Sequence, residues 1–166
     1  MAKFIVGKGL DNYIAYLQQL NFLTDEIIGE AVYEMAKVVA DKVRSNIEAL
    51  PAAPKGKTTY YVTETRIMSE LSEAQKQGLL DGFGVSPIQN DDGYVNVKLG
   101  FDGYNSVKTK KYPNGQPNAL IARVTNSGSS YRQKTRFVDK AVSSTRKQAK
   151  EAGQAKIDEK IQAIKT

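Results

Sequence analysis

A stripe of apolar residues between Ile28 and Leu50 is the strongest constraint on the fold. Its members recur every three or four residues, so they share one side of an α-helix and must be buried against another part of the chain. Thr24, followed by two acidic residues, is a suitable N-cap, and Pro51 and Pro54 lie where a helix cannot continue. The pattern therefore predicts a long amphipathic helix from about Thr24 to Leu50.

Shorter helices are predicted on both sides of this one. Apolar residues at helical spacing between Leu10 and Leu20 indicate a separate first helix. Ser72 and Gln75 have the spacing of a capping box, in which each side chain binds the other residue's backbone N–H, so they open a short helix. Gly82 ends that helix.

A β-hairpin is predicted in the middle of the chain. Val85–Gln89 and Tyr94–Phe101 are rich in strand-forming residues, and the turn between them contains Asp-Gly, a pair that suits a tight hairpin. Residues 58–63 are β-branched and aromatic, but the residues after them suit a helix, so strand and helix both stay open there.

A long polar loop and two helices are predicted after the hairpin. The loop from Asp102 to Asn118 exceeds the usual connection length, which is typical of binding elements or disordered segments. Asn118 is positioned to cap a short helix, and the last helix begins at Phe137 and continues to about Ile164. Its apolar stripe becomes sparse beyond Ser144, so we expect its end to protrude or to dock on another subunit.

Together these elements predict an α+β fold of one domain spanning residues 1–166, with amphipathic helices packed on a small antiparallel sheet or hairpin and a long basic C-terminal helix. The length of 166 residues suits one modest core. The chain has no apolar run long enough to cross a membrane and no signal peptide, so we expect it to act where it is made.

The absence of Cys and His removes much of enzyme chemistry. A Ser-His-Asp triad, a Cys nucleophile, and thiolate or imidazole metal sites are impossible. Asp91-Asp92 lacks the spacing of a calcium loop, and Gly82-Phe83-Gly84 lacks the residues of a nucleotide-binding loop. The sequence therefore predicts no catalytic activity, no metal and no cofactor.

The net charge of +6 is concentrated at the C-terminus. Residues 131–166 carry ten Lys/Arg and four Asp/Glu, which equals the whole excess. Such a segment can face the phosphates of nucleic acid, although basic helix faces are more often simply solvated. The candidate nucleic-acid-facing residues are Arg132, Lys134, Arg136, Lys140, Arg146, Lys147 and Lys150.

Tyr104 and Tyr112 make the long loop a candidate contact surface. Aromatic residues are scarce in disordered segments, and Tyr is enriched at binding hot spots. The alternative is that both rings lie back on the domain. With neighbouring residues of the same stretch, the candidate interface consists of Phe101, Asp102, Tyr104, Asn105, Tyr112, Gln116, Asn118, Arg123 and Phe137.

A series of short motifs extends along nearly the whole chain, at residues 9–11, 35–40, 75–80, 98–105, 115–118, 121–123 and 134–138. Their order and spacing resemble those of the gene-product-ten-like tail-component or neck proteins of long-tailed bacteriophages. The chain departs from that family at two places: Asn126–Ser130 replaces the usual Glu-x-Gly-Thr-Ser turn, and Arg136-Phe137 replaces the customary Pro-Phe.

This resemblance implies a structural virion protein at the junction of head and tail, without catalytic activity. It implies a homo-oligomeric ring around the DNA channel, with other neck, portal-adaptor or tail proteins as partners and with passing double-stranded DNA as a further one. The protein would be made in the host bacterial cytoplasm and would reside in the neck of the virion. The alternative is a soluble nucleic-acid-binding protein that uses the basic C-terminal helix.

Overall fold

A 38-residue helix, α1 (Asp11–Glu48), is the longest element of the computed structural model, which describes residues 11–54, 60–62 and 67–165. The helix ends three residues before Pro51, as predicted. The predicted division into two helices with Thr24 as an N-cap is wrong, because the helix runs through Thr24 without a break. Burial of Ile27 and Ala31 against the rest of the fold continues the apolar stripe across this position, so packing outweighs the local capping signal.

Three further helices follow in the described part of the chain, and each begins close to its predicted start. In α2 the capping box is present, since the backbone N–H of Gln75 donates to Ser72 Oγ at 3.2 Å and that of Ser72 donates to Gln75 Oε1 at 3.1 Å. The last helix begins at Phe137, as predicted. The bounds are α2 (Glu73–Gly82), α3 (Asn118–Ser127) and α4 (Phe137–Lys165).

The strands are short and form three antiparallel pairs within the described residues. The predicted hairpin is confirmed, and its turn is at Asp92 and Gly93, whose φ angles of 54° and 88° suit a tight hairpin. It is divided into two ladders, because Pro87 has no N–H to donate between them. The pairs are β1 (Tyr60–Val62) with β2 (Ile67–Ser69), β3 (Phe83–Val85) with β6 (Leu99–Phe101), and β4 (Gln89–Asp91) with β5 (Tyr94–Asn96).

The apolar core lies where α1, α2, α3 and the start of α4 meet the β3–β6 pair. Val43, Ile47 and Leu79 are almost fully buried there. The ring centroid of Phe101 is 5.0 Å from that of Phe83 and 6.0 Å from that of Phe137, so three aromatic rings join the strand pair to α4. The fold is therefore α+β, with small antiparallel strand pairs and a long C-terminal helix, as predicted.

Helix α4 packs along α1 of its own chain, so the expectation that its end protrudes is wrong, while docking on another subunit stays a prediction. Asn46 Nδ2 donates to the carbonyl oxygen of Phe137 at 2.8 Å, and far along both helices Lys160 Nζ donates to a Glu30 carboxylate oxygen. The two helices thus run antiparallel. The hydrogen bond to Glu30 raises the pKa of Lys160 above its ordinary value, because it stabilises the charged ammonium. No helix in the described ranges has the length and apolar character that a membrane span requires.

Candidate functional site

The loop between β6 and α3, Asp102–Pro117, has an ordered base. The backbone N–H of Asn105 donates to the carbonyl oxygen of Gln116 at 2.9 Å, and that of Asn118 donates to Gly103 at 3.0 Å. These two bonds pair the two ends of the loop in the way that backbone hydrogen bonds pair neighbouring β-strands. The loop is therefore a folded projection with a fixed base, as expected of a binding element rather than of a disordered segment.

The tip of the loop is also closed by backbone hydrogen bonds. Thr109 and Tyr112 exchange N–H···O bonds of 3.1 and 3.0 Å. Lys111 Nζ lies 5.5 Å from the centroid of the Tyr112 ring, which is within cation–π range. Gly115 turns the chain back toward the base with a φ of 118°, a conformation that favours glycine. Tyr112 is half-buried, so part of its ring lies back on the protein.

Buried polar side chains connect the base of the loop to the helices beneath it. Gln75 Nε2 donates to Gln116 Oε1 at 2.7 Å, and Gln75 Oε1 accepts from the Arg132 guanidinium at 3.0 Å. The same guanidinium donates to Thr125 Oγ1 at 3.3 Å. Arg132 is only 6% exposed, so its predicted contact with nucleic acid is wrong, and its role here is to join α2 to α3. No local pattern distinguishes it from the exposed basic residues around it.

Asn118 acts at this base in a different way from the one predicted. Pro117 is the N-cap of α3, and the Asn118 side chain makes no capping bond. Instead Asn118 Nδ2 donates to the carbonyl oxygen of Asp102 at 2.8 Å, which fixes the first residue of the loop. Both Asn118 and Asn105 are buried, and both lie against Gly78 of α2, where any side chain would collide with them.

A groove of about 770 Å³ lies between α2 and the base of the loop. Tyr104 lines it and is 69% exposed. Asn105 Nδ2 and Asn118 Oδ1 have no hydrogen-bond partner among the described residues, although both residues line the groove. The lining residues are Ala52, Glu73, Ala74, Lys76, Gln77, Gly78, Leu80, Asp81, Tyr104, Asn105, Ser106 and Asn118.

Helix α4 presents a basic face on the side away from α1. Its buried positions include Ala141, Thr145 and Ala149, which follow one another at intervals of four residues. The remaining candidate cations are all exposed, and two have acidic neighbours: Lys147 pairs with Glu151 at 3.8 Å, and Arg136 pairs with Asp139 at 3.6 Å. The exposed set is Lys134, Arg136, Lys140, Arg146, Lys147 and Lys150.

The predicted interface residues divide into interior and surface groups. Phe137 is 2% exposed and Phe101 is half-buried beside it, so these rings build the core rather than a contact surface. Asn105, Gln116 and Asn118 brace the loop from within, as described above. The exposed members are Asp102, Tyr104 and Arg123.

The sequence analysis missed the acidic side of the groove. Glu73, Gln77 and Asp81 are exposed on α2 and spaced by four residues, so they form one stripe along the helix. Their four-residue spacing was visible in the sequence and could have identified this acidic stripe. Among the described residues no group of acidic side chains is arranged to hold a metal ion.

No protein-family model matches this sequence, and no match was found among curated proteins or solved structures.

Proposed function

We propose that the protein is a structural component of the head–tail connector, or neck, of a long-tailed bacteriophage, joining the capsid side to the tail as a ring around the DNA channel. The resemblance in motif order supports this proposal over nearly the whole chain. The virion neck is then its place of action, and it needs no catalytic residue, metal or cofactor.

The exposed Tyr104 on a braced loop is the observation that carries the proposal. A ring needs two different surfaces on each subunit, one for each neighbour. Tyr104 presents a large ring to solvent from a loop that hydrogen bonds hold at base and tip. Since such a loop is already ordered, binding does not cost the entropy of ordering it. An exposed aromatic residue on a fixed support is a suitable interface anchor.

The test is Tyr104→Ala in the phage that encodes the protein, with Tyr94→Ala as the matched control. Tyr94 is 73% exposed on the hairpin, so both changes remove a similarly exposed ring. We expect Tyr104→Ala to yield unjoined heads and tails and to reduce infectious particles by roughly tenfold or more, the effect of losing one hot-spot contact. Tyr94→Ala should give normal yields. Normal yields with both variants would remove Tyr104 from the interface.

Copy number gives an independent test of the connector assignment. Quantitative mass spectrometry of purified particles, normalised to the major capsid protein, should find a small and fixed number of copies per particle. Absence of the protein from intact particles would contradict a role in the finished neck and would instead indicate an assembly factor or an intracellular nucleic-acid binder.

Nucleic-acid binding is a second candidate function, which the exposed basic face of α4 favours. If Lys140, Arg146, Lys147 and Lys150 all contact phosphates of duplex DNA, the logarithm of the binding constant should fall with the logarithm of salt concentration with a slope of about −3 to −4. Fluorescence anisotropy on a short duplex measures this slope. No binding at low salt would eliminate the candidate.

A further inference from the structure

The described surface carries two stripes of opposite charge on different helices. On α4, Lys140, Arg146, Lys147 and Lys150 are exposed. At 3.6 residues per turn they fall within about one third of the helix circumference, opposite the face that packs on α1. Because Lys147 pairs with Glu151, the stripe keeps an excess of positive charge but is not uniformly basic.

The acidic stripe lies on α2, along the groove beside the loop. Glu73 and Asp81 line the groove and are exposed, with Gln77 between them. The only cation in the described lining is Lys76, whose ammonium donates to the carbonyl oxygens of Glu48 and Leu50 at 2.6 and 2.8 Å. That ammonium is held at the carboxyl end of α1, so it does not neutralise the stripe along its length.

The two stripes have similar lengths. With a rise of about 1.5 Å per residue, Glu73 and Asp81 are separated by about 12 Å along α2. Lys140 and Lys150 are separated by about 15 Å along α4 on the same measure. If α2 of one chain lies alongside α4 of another, parallel or antiparallel, both ends of the acidic stripe can therefore contact the basic stripe at the same time.

The groove also has features expected of a surface that receives another protein. Tyr104 stands exposed in its lining. Asn105 and Asn118, each about nineteen-twentieths buried, have an amide atom without a hydrogen-bond partner in the part of the chain described. Both amide atoms are themselves buried, so the exposed Tyr104 ring is the group that the groove offers to a partner.

We propose that this groove receives the basic face of α4 from a second copy of the same chain. This inference rests on the proposed ring and specifies its contact: the groove of one subunit, with Glu73, Asp81 and Tyr104, meets the stripe from Lys140 to Lys150 of the next. The contact is heterologous, because the two surfaces lie on different helices, so it can be repeated around a closed ring. Opposite charges set its register and steer the encounter.

Disulfide trapping tests the contact, because the chain has no cysteine of its own. One chain carries Gln77→Cys, in the middle of the acidic stripe. A second chain, enlarged by a tag, carries Ser143→Cys, whose exposed position lies in the middle of the basic stripe. The matched control replaces the first chain with Ser45→Cys, an exposed position on α1. Mild oxidation and a non-reducing gel then measure the heterodimer.

We expect the Gln77→Cys and Ser143→Cys pair to give roughly tenfold more heterodimer than the control at low salt, the combined effect of a few exposed ion pairs. The excess should shrink in about 1 M salt, where the Debye length is only about 3 Å. Trapping is covalent, so a transient contact is also captured. Heterodimer at the control level under low salt would overturn the proposal.

Charge reversal makes the test specific to pairing. Glu73→Lys with Asp81→Lys in the Gln77→Cys chain should abolish the excess, and so should Lys147→Glu with Lys150→Glu in the Ser143→Cys chain. Combining the two reversed chains should restore part of it, because the reversed positions again join opposite charges while Lys140 and Arg146 remain positive. Circular dichroism checks that each chain is folded. Loss without restoration would overturn the proposal.

The outcomes separate this contact from the other assignments. Control-level trapping together with salt-sensitive binding of duplex DNA would assign the basic face to nucleic acid and overturn the contact. A fixed copy number in particles without trapping would keep the connector assignment and discard this interface. Trapping without the protein in particles would keep the self-association and discard the connector.

Discussion

Gly78 and Gly153 permit a matched test of how the loop is packed on α2. Both lie inside helices, so replacing either with Ala should gain about 1 kcal/mol of helix propensity. Their surroundings differ. A Cβ on Gly78 would lie 2.5 Å from both Asn105 Cβ and Asn118 Oδ1, whereas a Cβ on Gly153 would lie 2.7 Å from Met35 Cγ.

The cost at Gly78 exceeds the gain because its neighbours cannot easily move. Asn105 meets the new methyl group with its Cβ and its backbone, and overpacking of this kind costs about 2 kcal/mol. Displacing Asn118 breaks its hydrogen bond to the Asp102 carbonyl, which is worth about 1 kcal/mol. Gly78→Ala should therefore lower the free energy of unfolding by about 2 kcal/mol and Tm by about 4–8 °C.

Gly153→Ala should be close to neutral. The atoms that its methyl group meets belong to the flexible Met35 side chain, and a rotamer change there costs about 1 kcal/mol, which offsets the gain in helix propensity. Urea denaturation followed by circular dichroism gives the unfolding free energy of both variants and of the wild type. If Gly78→Ala is as stable as Gly153→Ala, the loop does not pack on α2 through Asn105 and Asn118.

Two further predictions concern the core and the α1–α4 contact. Phe137→Ala should lower the free energy of unfolding by about 3–5 kcal/mol in urea denaturation, because its buried ring packs against Phe101. The control, Val142→Ala, changes a residue that is 45% exposed on the same helix and should alter the free energy of unfolding little. Equal losses in the two variants would contradict the placement of Phe137. The pKa of Lys160 is raised above 10.5 by Glu30, so this pair should stabilise the fold fully below that pH and lose its effect as pH rises above it. In Glu30→Gln, urea denaturation from pH 9 to 12 should show a smaller decline in stability than in the wild type, and identical pH profiles would refute the contribution of the pair.

Elements that depend on neighbouring residues could be predicted from the sequence. The capping box of Ser72 and Gln75 closes within one turn, and the Asp92-Gly93 pair supplies the positive φ angles of its own hairpin turn. The start of α4 at Phe137 follows from the return of helical periodicity. In each case the interactions that decide the structure join residues only a few positions apart, so a short stretch of sequence is enough to recognise them.

Features that depend on distant residues could not be predicted. Thr24 resembles an N-cap locally, but α1 continues through it. In the sequence Arg132 resembles its basic neighbours, yet it is buried and binds Gln75. These two residues are 57 positions apart, so no local pattern reveals the contact. For the same reason Asn118 was taken for a cap, whereas its side chain binds a carbonyl at the far end of the loop. Composition and spacing carry no record of such contacts.

The antiparallel pairing of α1 with α4 determines when the chain can fold during synthesis. Asn46 bonds a residue 91 positions away, and Glu30 bonds one 130 positions away. Until the ribosome has released α4, the apolar stripe of α1 lacks the partner that covers it, and long-range pairings of this kind form slowly. Nascent chains that stop before Phe137 should therefore be held by chaperones or aggregate, because the helix that stabilises α1 is translated long after α1 itself.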